Sequence, residues 1–188
     1  MGPGKRWFNR TGKTANGFIG GWQLSGTSII ESGPPFTVEV SGINANIGES
    51  TRPNRIASGK DVPGTGRRGV DFPWFNPSAF VGVPNCASRT NCSPDQYGFL
   101  PFAPGTSGRG ILDGPGLQSI NLSLFKNWSL GEAKRIQFRW EVFNIFNHPN
   151  FLLPNRNFNE TAAGYLNDVQ ASGNGGPRIM QYALRYDF

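Results

Sequence analysis

What this chain lacks narrows it first. No run of eighteen apolar residues occurs in its 188, so no helix can be drawn that would cross a membrane. Histidine and cysteine are scarce, at one and two. Zinc asks for four ligands, and Cys86 and Cys92 in "NCASRTNC" have no histidine near them, so no metal site is expected. A small disulfide-closed loop is the better reading of the pair, and it implies an oxidising compartment. The lone His148, set before Pro149, has no placed acid or nucleophile, so neither catalysis nor a cofactor is expected. Charge is sparse as well. The net +6 is scattered over Arg52, Arg55, Arg67, Arg68, Arg89 and Arg109 with acids between them, unlike the basic stripe of a nucleic-acid binder. Behind "MGPGKRWFNRTGKT" no apolar segment follows, so the opening is not a secretory signal.

Glycine (26) and proline (15) are plentiful, yet aromatics reach 13%, too many for a disordered chain. That combination suggests strands joined by long loops. Four segments alternate as strands do. In Gly21–Ser32, Trp22, Leu24, Gly26, Ser28 and Ile30 share a face, and a short extension, "PFTVEVSG", follows a Pro34–Pro35 break. In Leu117–Leu130, Ile120, Leu122, Leu124, Trp128 and Leu130 oppose Asn121, Ser123 and Asn127, with Lys126 interrupting the apolar side and Phe125 the polar one. Arg135–Asn147 sets Ile136, Phe138, Trp140 and Val142 against Gln137, Arg139 and Glu141. The last, "RIMQYALRYDF", sets Met180, Tyr182, Leu184, Tyr186 and Phe188 against Gln181, Ala183, Arg185 and Asp187. The middle pair is expected to form an antiparallel hairpin about Gly131, and no convincing helix appears.

An irregular region of about seventy residues from Ile43 to Pro115 exceeds the roughly 15 that a compact soluble domain usually tolerates. Either it folds as its own cap or the protein tolerates very long loops on one side. The apolar strand faces are left with no second layer of this chain to cover them, and such a face finds its partner in lipid. Segments of about ten alternating residues, short turns at one end and long loops at the other, are the pattern of a transmembrane β-barrel. Crossing needs about 9–11 tilted residues, and each of the last three segments is expected to supply eleven or more. Lys126, two positions from Trp128, is expected near the headgroups, its ammonium snorkelling outward. The fold expected is therefore all-β: an antiparallel transmembrane barrel fragment of about four strands, too few to close a barrel alone.

The final strand resembles the C-terminal signature of bacterial outer-membrane proteins: a terminal Phe188, an aromatic Tyr186 two residues before it, and Leu184, Tyr182 and Met180 at alternate positions upstream. In that class the barrel assembly machinery recognises such a strand, which fits recognition by strand addition. Upstream, "GGWQLSGTSIIESGPPFTV", "GTSGRGIL", "GPGLQSINLSLFKNWSL" and "RIQFRWEVFNIFNHPNF" look like the closing strands of TonB-dependent receptors of the Oar-like group. Gly110 and Asp113 depart from that pattern, standing where Asn and a basic residue are expected. The resemblance implies a plugged barrel that takes up a scarce nutrient across the outer membrane of a Gram-negative bacterium, energised by TonB. Four strands would leave two open edges in lipid, so the chain is expected to be the C-terminal part of a longer receptor. Met1 is then an internal or truncated start, and residues 1–20 a periplasmic turn. Residues 21–188 carry the strands, with long extracellular loops at about 43–115 and 148–176. Partners implied are outer-membrane lipid, the assembly machinery, the receptor's plug and remaining strands, and TonB through that plug. The substrate is unspecified.

Other features are weighed against this. "GTGRRG" (Gly64–Gly69) fits a dinucleotide fingerprint by letter, but no strand precedes it and no helix follows. The competing reading is a soluble secreted β-domain that binds a glycan or protein through Trp74, Phe75, Tyr97 and Phe99. Arg67, Arg68 and Trp74 are better read as packing a loop than as touching a ligand.

Overall fold

The computed structural model describes residues 17–40, 52–62, 69, 71–84, 93–101, 103–131, 134–171 and 175–188. Eight strands follow in chain order: β1 (Trp22–Glu31), β2 (Pro35–Phe36), β3 (Asn54–Arg55), β4 (Phe80–Val81), β5 (Leu112–Asp113), β6 (Leu117–Ser129), β7 (Arg135–Phe143) and β8 (Ile179–Asp187). The four long ones make one antiparallel sheet in the order β1-β6-β7-β8, an open sheet and not a closed barrel. The short ones pair as β2 with β5 and β3 with β4. The chain divides into two compact units, one built on the long sheet and one on residues 32–116 and 151–169.

Alternation in each long strand becomes rows across the sheet, because partners directly opposite share a face. Leu24 lies opposite Leu124, Leu124 opposite Trp140, and Trp140 opposite Tyr182. The neighbouring rows run Gly26, Leu122, Val142, Met180 and Trp22, Lys126, Phe138, Leu184. A slip of one residue in any pairing would throw that strand's apolar set to the other side. The register therefore gathers four separate apolar stripes into one face. Gly26 lies within it, where a Cβ would come within 2.9 Å of the Leu122 side chain and ask its methyl to shift.

Two of the strands are shorter than their patterns suggest. β7 ends at Phe143 rather than Asn147, and β7 and β8 span nine residues each. The reason lies in Asn144 and Asn147, whose φ of 47° and 51° are left-handed. Asparagine tolerates that region better than most residues, and it breaks the extended chain. Helical structure, unexpected from sequence, appears as a turn at 17–19 and a 3-10 turn at Pro77–Ala79. The second is started by Pro77, and Asn76 caps it by accepting from the Ser78 N–H at 3.1 Å.

The second unit has a core of its own. Phe75 is 1% exposed and meets Phe36 at 5.8 Å and Phe80 edge-on at 5.9 Å, with Val38, Ala79 and Leu112 filling in around them. Each such apolar side chain contributes about 1.5–3 kcal/mol on burial. Residues 151–169 are tied into it by the backbone: Glu39 N–H donates to Arg156 O at 2.9 Å, and Phe158 N–H donates to Glu39 O at 3.1 Å. The Arg156 guanidinium also lies 3.2 Å from the Glu39 carboxylate. What reads as two unstructured loops is, over its described residues, one packed body.

Candidate functional site

The apolar face of the long sheet is exposed along its outer strands β1 and β8 and half-buried along β6 and β7, where Val142 is buried. Leu24 is 70% exposed, and Ile30, Met180, Tyr182, Leu184 and Tyr186 are exposed too. Soluble monomers seldom show contiguous apolar patches beyond a few hundred Å². At about 3.4 Å per residue, the nine residues of β7 or β8 run about 30 Å. Tilted by about 35–45° they rise about 21–25 Å, close to the height of the apolar band on outer-membrane barrels. The strands that looked short are long enough.

One end of this sheet carries a ring of aromatic and cationic groups. Lys126, on the apolar face, is only 1% exposed. It does not snorkel. Its ammonium donates to the carbonyl oxygens of Gly20 and, at 3.3 Å, Phe18, and lies over the rings of Trp22 and Trp128 at 5.2 and 5.5 Å. Trp22 Nε1 donates to Phe18 O at 2.8 Å and Trp128 Nε1 to Gly17 O at 3.1 Å. The carbonyls at the end of a helical turn lack partners of their own and carry partial negative charge. Three side chains from β1 and β6 satisfy them.

The terminal strand sets Met180, Tyr182, Leu184 and Tyr186 on the apolar face, and Phe188 follows just beyond it. Tyr182 stacks on Trp140 at 6.4 Å, Tyr186 on Phe188 at 5.8 Å, and Phe188 is 92% exposed. Among the described residues β8 pairs on one side only, with β7, so its other edge is open there.

The opposite face is polar and internally bonded. Gln137 donates to Asn127 at 2.9 Å and Ser123 to Glu141 at 3.3 Å. Arg139 lies 3.8 Å from Glu141 and over the Phe125 ring at 4.8 Å, and Arg185 bonds Asp187 at 2.8 Å. Away from the aromatic ring, an asparagine cluster holds the sheet's far end. Buried Asn144 donates to Gly176 O at 2.8 Å and His148 O at 2.9 Å, accepts from His148 N–H at 3.0 Å, and its own N–H donates to Asn121 Oδ1. Asn150 accepts from Gln118 N–H at 2.8 Å. Sequence reading missed this clasp, and its one trace is the asparagine density of "FNIFNHPN".

The loop aromatics do not form one stacking surface. Phe75 is interior, Trp74 packs against its cluster and donates from Nε1 to Asp113 O at 2.7 Å, and Tyr97 meets Phe99 at 6.4 Å. Beside Trp74 lies a cavity of about 190 Å³ whose rim carries Lys60 and Asp113. Cys86, Cys92, Arg67 and Arg68 lie outside the described residues. No group of three or more potential metal ligands occurs among the described residues.

The model of one protein family, described as an outer membrane beta barrel domain, matches residues 1–181. No curated protein and no solved structure matches the chain.

Proposed function

The chain belongs to the outer membrane beta barrel domain family, and on that premise we propose that it is the C-terminal part of an Oar-like TonB-dependent receptor that takes up a scarce nutrient. Its place is the outer membrane of a Gram-negative bacterium. The observation that carries the membrane reading is the in-register apolar face, continuous over four strands and exposed along β1 and β8, with a bonded polar face behind it. Side chains such as Leu24 and Leu184 meet hydrocarbon, while Arg139, Glu141 and Gln137 line a wet interior.

The finer reading rests on the strand sequences and on how the two ends differ. The chain leaves and re-enters the long sheet after Glu31 and Phe143, at one end, with its longest connections. The other end has the short β6–β7 link, where Leu130 N–H donates to Lys134 O at 2.9 Å, and the terminal Phe188. We assign that end to the periplasm and the long connections to the outside. The assembly machinery engages β8 by strand addition, further strands of the receptor close the barrel, and a plug couples it to TonB. The protein acts by binding and passage, with no chemistry of its own.

Two measurements test this. The receptor containing this chain should sediment with outer membranes, and deleting Phe188 should lower its assembled amount several-fold; normal assembly without Phe188 counts against the role given to β8. Substrate accumulation should stop when TonB is removed, and uptake that persists would refute the energised mechanism while leaving the barrel in place. A monodisperse folded protein obtained without detergent would instead favour a soluble binding domain.

A further inference from the structure

The second unit contains a hollow that the barrel does not require. Its floor and wall are apolar: buried Phe75 and Leu112, and the partly buried Trp74. Gly59 and Gly114 border it and bring no side chain. At the rim the Lys60 ammonium lies 3.6 Å from the Asp113 carboxylate, the two side chains being 60% and 70% exposed. The volume of about 190 Å³ equals roughly six waters at about 30 Å³ each. It falls below the about 300–1,000 Å³ of pockets that hold drug-sized ligands. One small molecule fits.

We propose that this hollow binds a free amino acid with a large apolar side chain. The side chain lies on Trp74, Phe75 and Leu112, the α-carboxylate meets Lys60, and the α-ammonium meets Asp113. The rim supplies one cation and one anion, which is what a zwitterion asks for. A neutral sugar of similar size fits worse. Its hydroxyls would leave unmatched the opposite charges that Lys60 and Asp113 carry, and the Trp74 N–H is already given to Asp113 O. Opening the rim is cheap, since an exposed ion pair contributes little to stability. The ligand then offers each partner an opposite charge in its place. The role in uptake rests on the transport reading above, whereas the binding rests on this unit alone.

The test uses the full chain in detergent micelles and titrates L-phenylalanine by calorimetry. Two analogues accompany it, 3-phenylpropionate without the ammonium and phenethylamine without the carboxylate, with glucose as the neutral probe. L-phenylalanine should bind saturably, and each analogue about tenfold more weakly, since each lacks one of the two charge-assisted contacts. K60M should erase the preference for L-phenylalanine over phenethylamine and leave its preference over 3-phenylpropionate. D113N should do the reverse. The proposal is overturned by no saturable binding of L-phenylalanine, by equal binding of all three, by glucose binding as tightly, or by variants that change nothing. Failed binding with intact membrane assembly sinks the site alone, and binding by a chain that does not sediment with outer membranes sinks the transport reading alone.

Discussion

Replacing Leu24 by Arg separates lipid from water as the neighbour of the apolar face. Leu24 sits in the row with Leu124, Trp140 and Tyr182, between the rows of Trp22 and Gly26, and is 70% exposed. So little of it touches the rest of the chain that almost any cost must come from what surrounds the sheet. In water, an exposed substitution of this kind changes stability by no more than about 0.5 kcal/mol. In a bilayer, Arg near the midplane of a barrel costs about 2–4 kcal/mol, which lowers the folding constant roughly thirty- to a thousandfold at about 1.4 kcal/mol per factor of ten. Gln23, the next residue along β1, lies on the polar face opposite Phe125. Gln23→Arg is therefore the matched control, with an expected change within about 0.5 kcal/mol. Both variants of the receptor would be unfolded with denaturant in lipid vesicles and their midpoints compared at unchanged slope. Equal midpoints for the two would refute the lipid-facing assignment, whatever the localisation of the protein.

Three further substitutions probe other parts of the molecule. Lys126→Met keeps the stem but leaves the Gly20 carbonyl without its donor and takes one of two donors from Phe18 O, so about 1–3 kcal/mol should be lost, with faster amide exchange confined to residues about Trp22 and Trp128. Asn144 carries both a left-handed φ of 47° and three side-chain bonds. Asn144→Ala should thus cost about 1–2 kcal/mol more than Asn144→Gly, which loses the same bonds without the backbone penalty, and equal unfolding midpoints for the two would contradict this. Phe75→Ala should cost about 3–5 kcal/mol in the second unit, read as amide protection lost around Phe36, Phe80 and Leu112 while β6 and β7 keep theirs; loss in all of them would mean that the units do not unfold separately.

The long strands were legible because their information is local. Ile136, Phe138, Trp140 and Val142 alternate with Gln137, Arg139 and Glu141, and period two allows no other backbone for such a run. Even the rows across the sheet were within reach, since one parity of each strand is the oilier, with Ile29, Phe125, Phe143 and Ile179 among the exceptions. The second unit was not legible in this way. Phe36, Phe75 and Leu112 meet in its core from three separate stretches of Pro- and Gly-rich chain, none with a period. β2 with β5 and β3 with β4 pair over two residues each, too few to leave a pattern. Lys126 was misjudged for a related reason. On sequence it is a charge on an oily stripe that must reach for water, and only the fold brings the carbonyls of 17–20 beneath it. The asparagine clasp was missed because Asn144 continues the strand pattern by position and breaks it by φ.

Among the described residues the order β1-β6-β7-β8 leaves the sheet with two open edges, and their cost decides how such a sheet can exist in lipid. In an edge strand alternate residues turn N–H and C=O away from their neighbour. The ten residues of β1 and nine of β8 thus present on the order of twenty unpaired groups, and at several kcal/mol each in hydrocarbon they total tens of kcal/mol. Whole domains are stable by only about 5–15 kcal/mol. No gain from the apolar face, the Lys126 clasp or the asparagine cluster offsets a deficit of that size, so the open sheet cannot be the membrane form. On the function proposed above, further strands close it between β8 and β1. The two edges are close to equal in length, so a partner strand laid along either one removes about half the deficit at once.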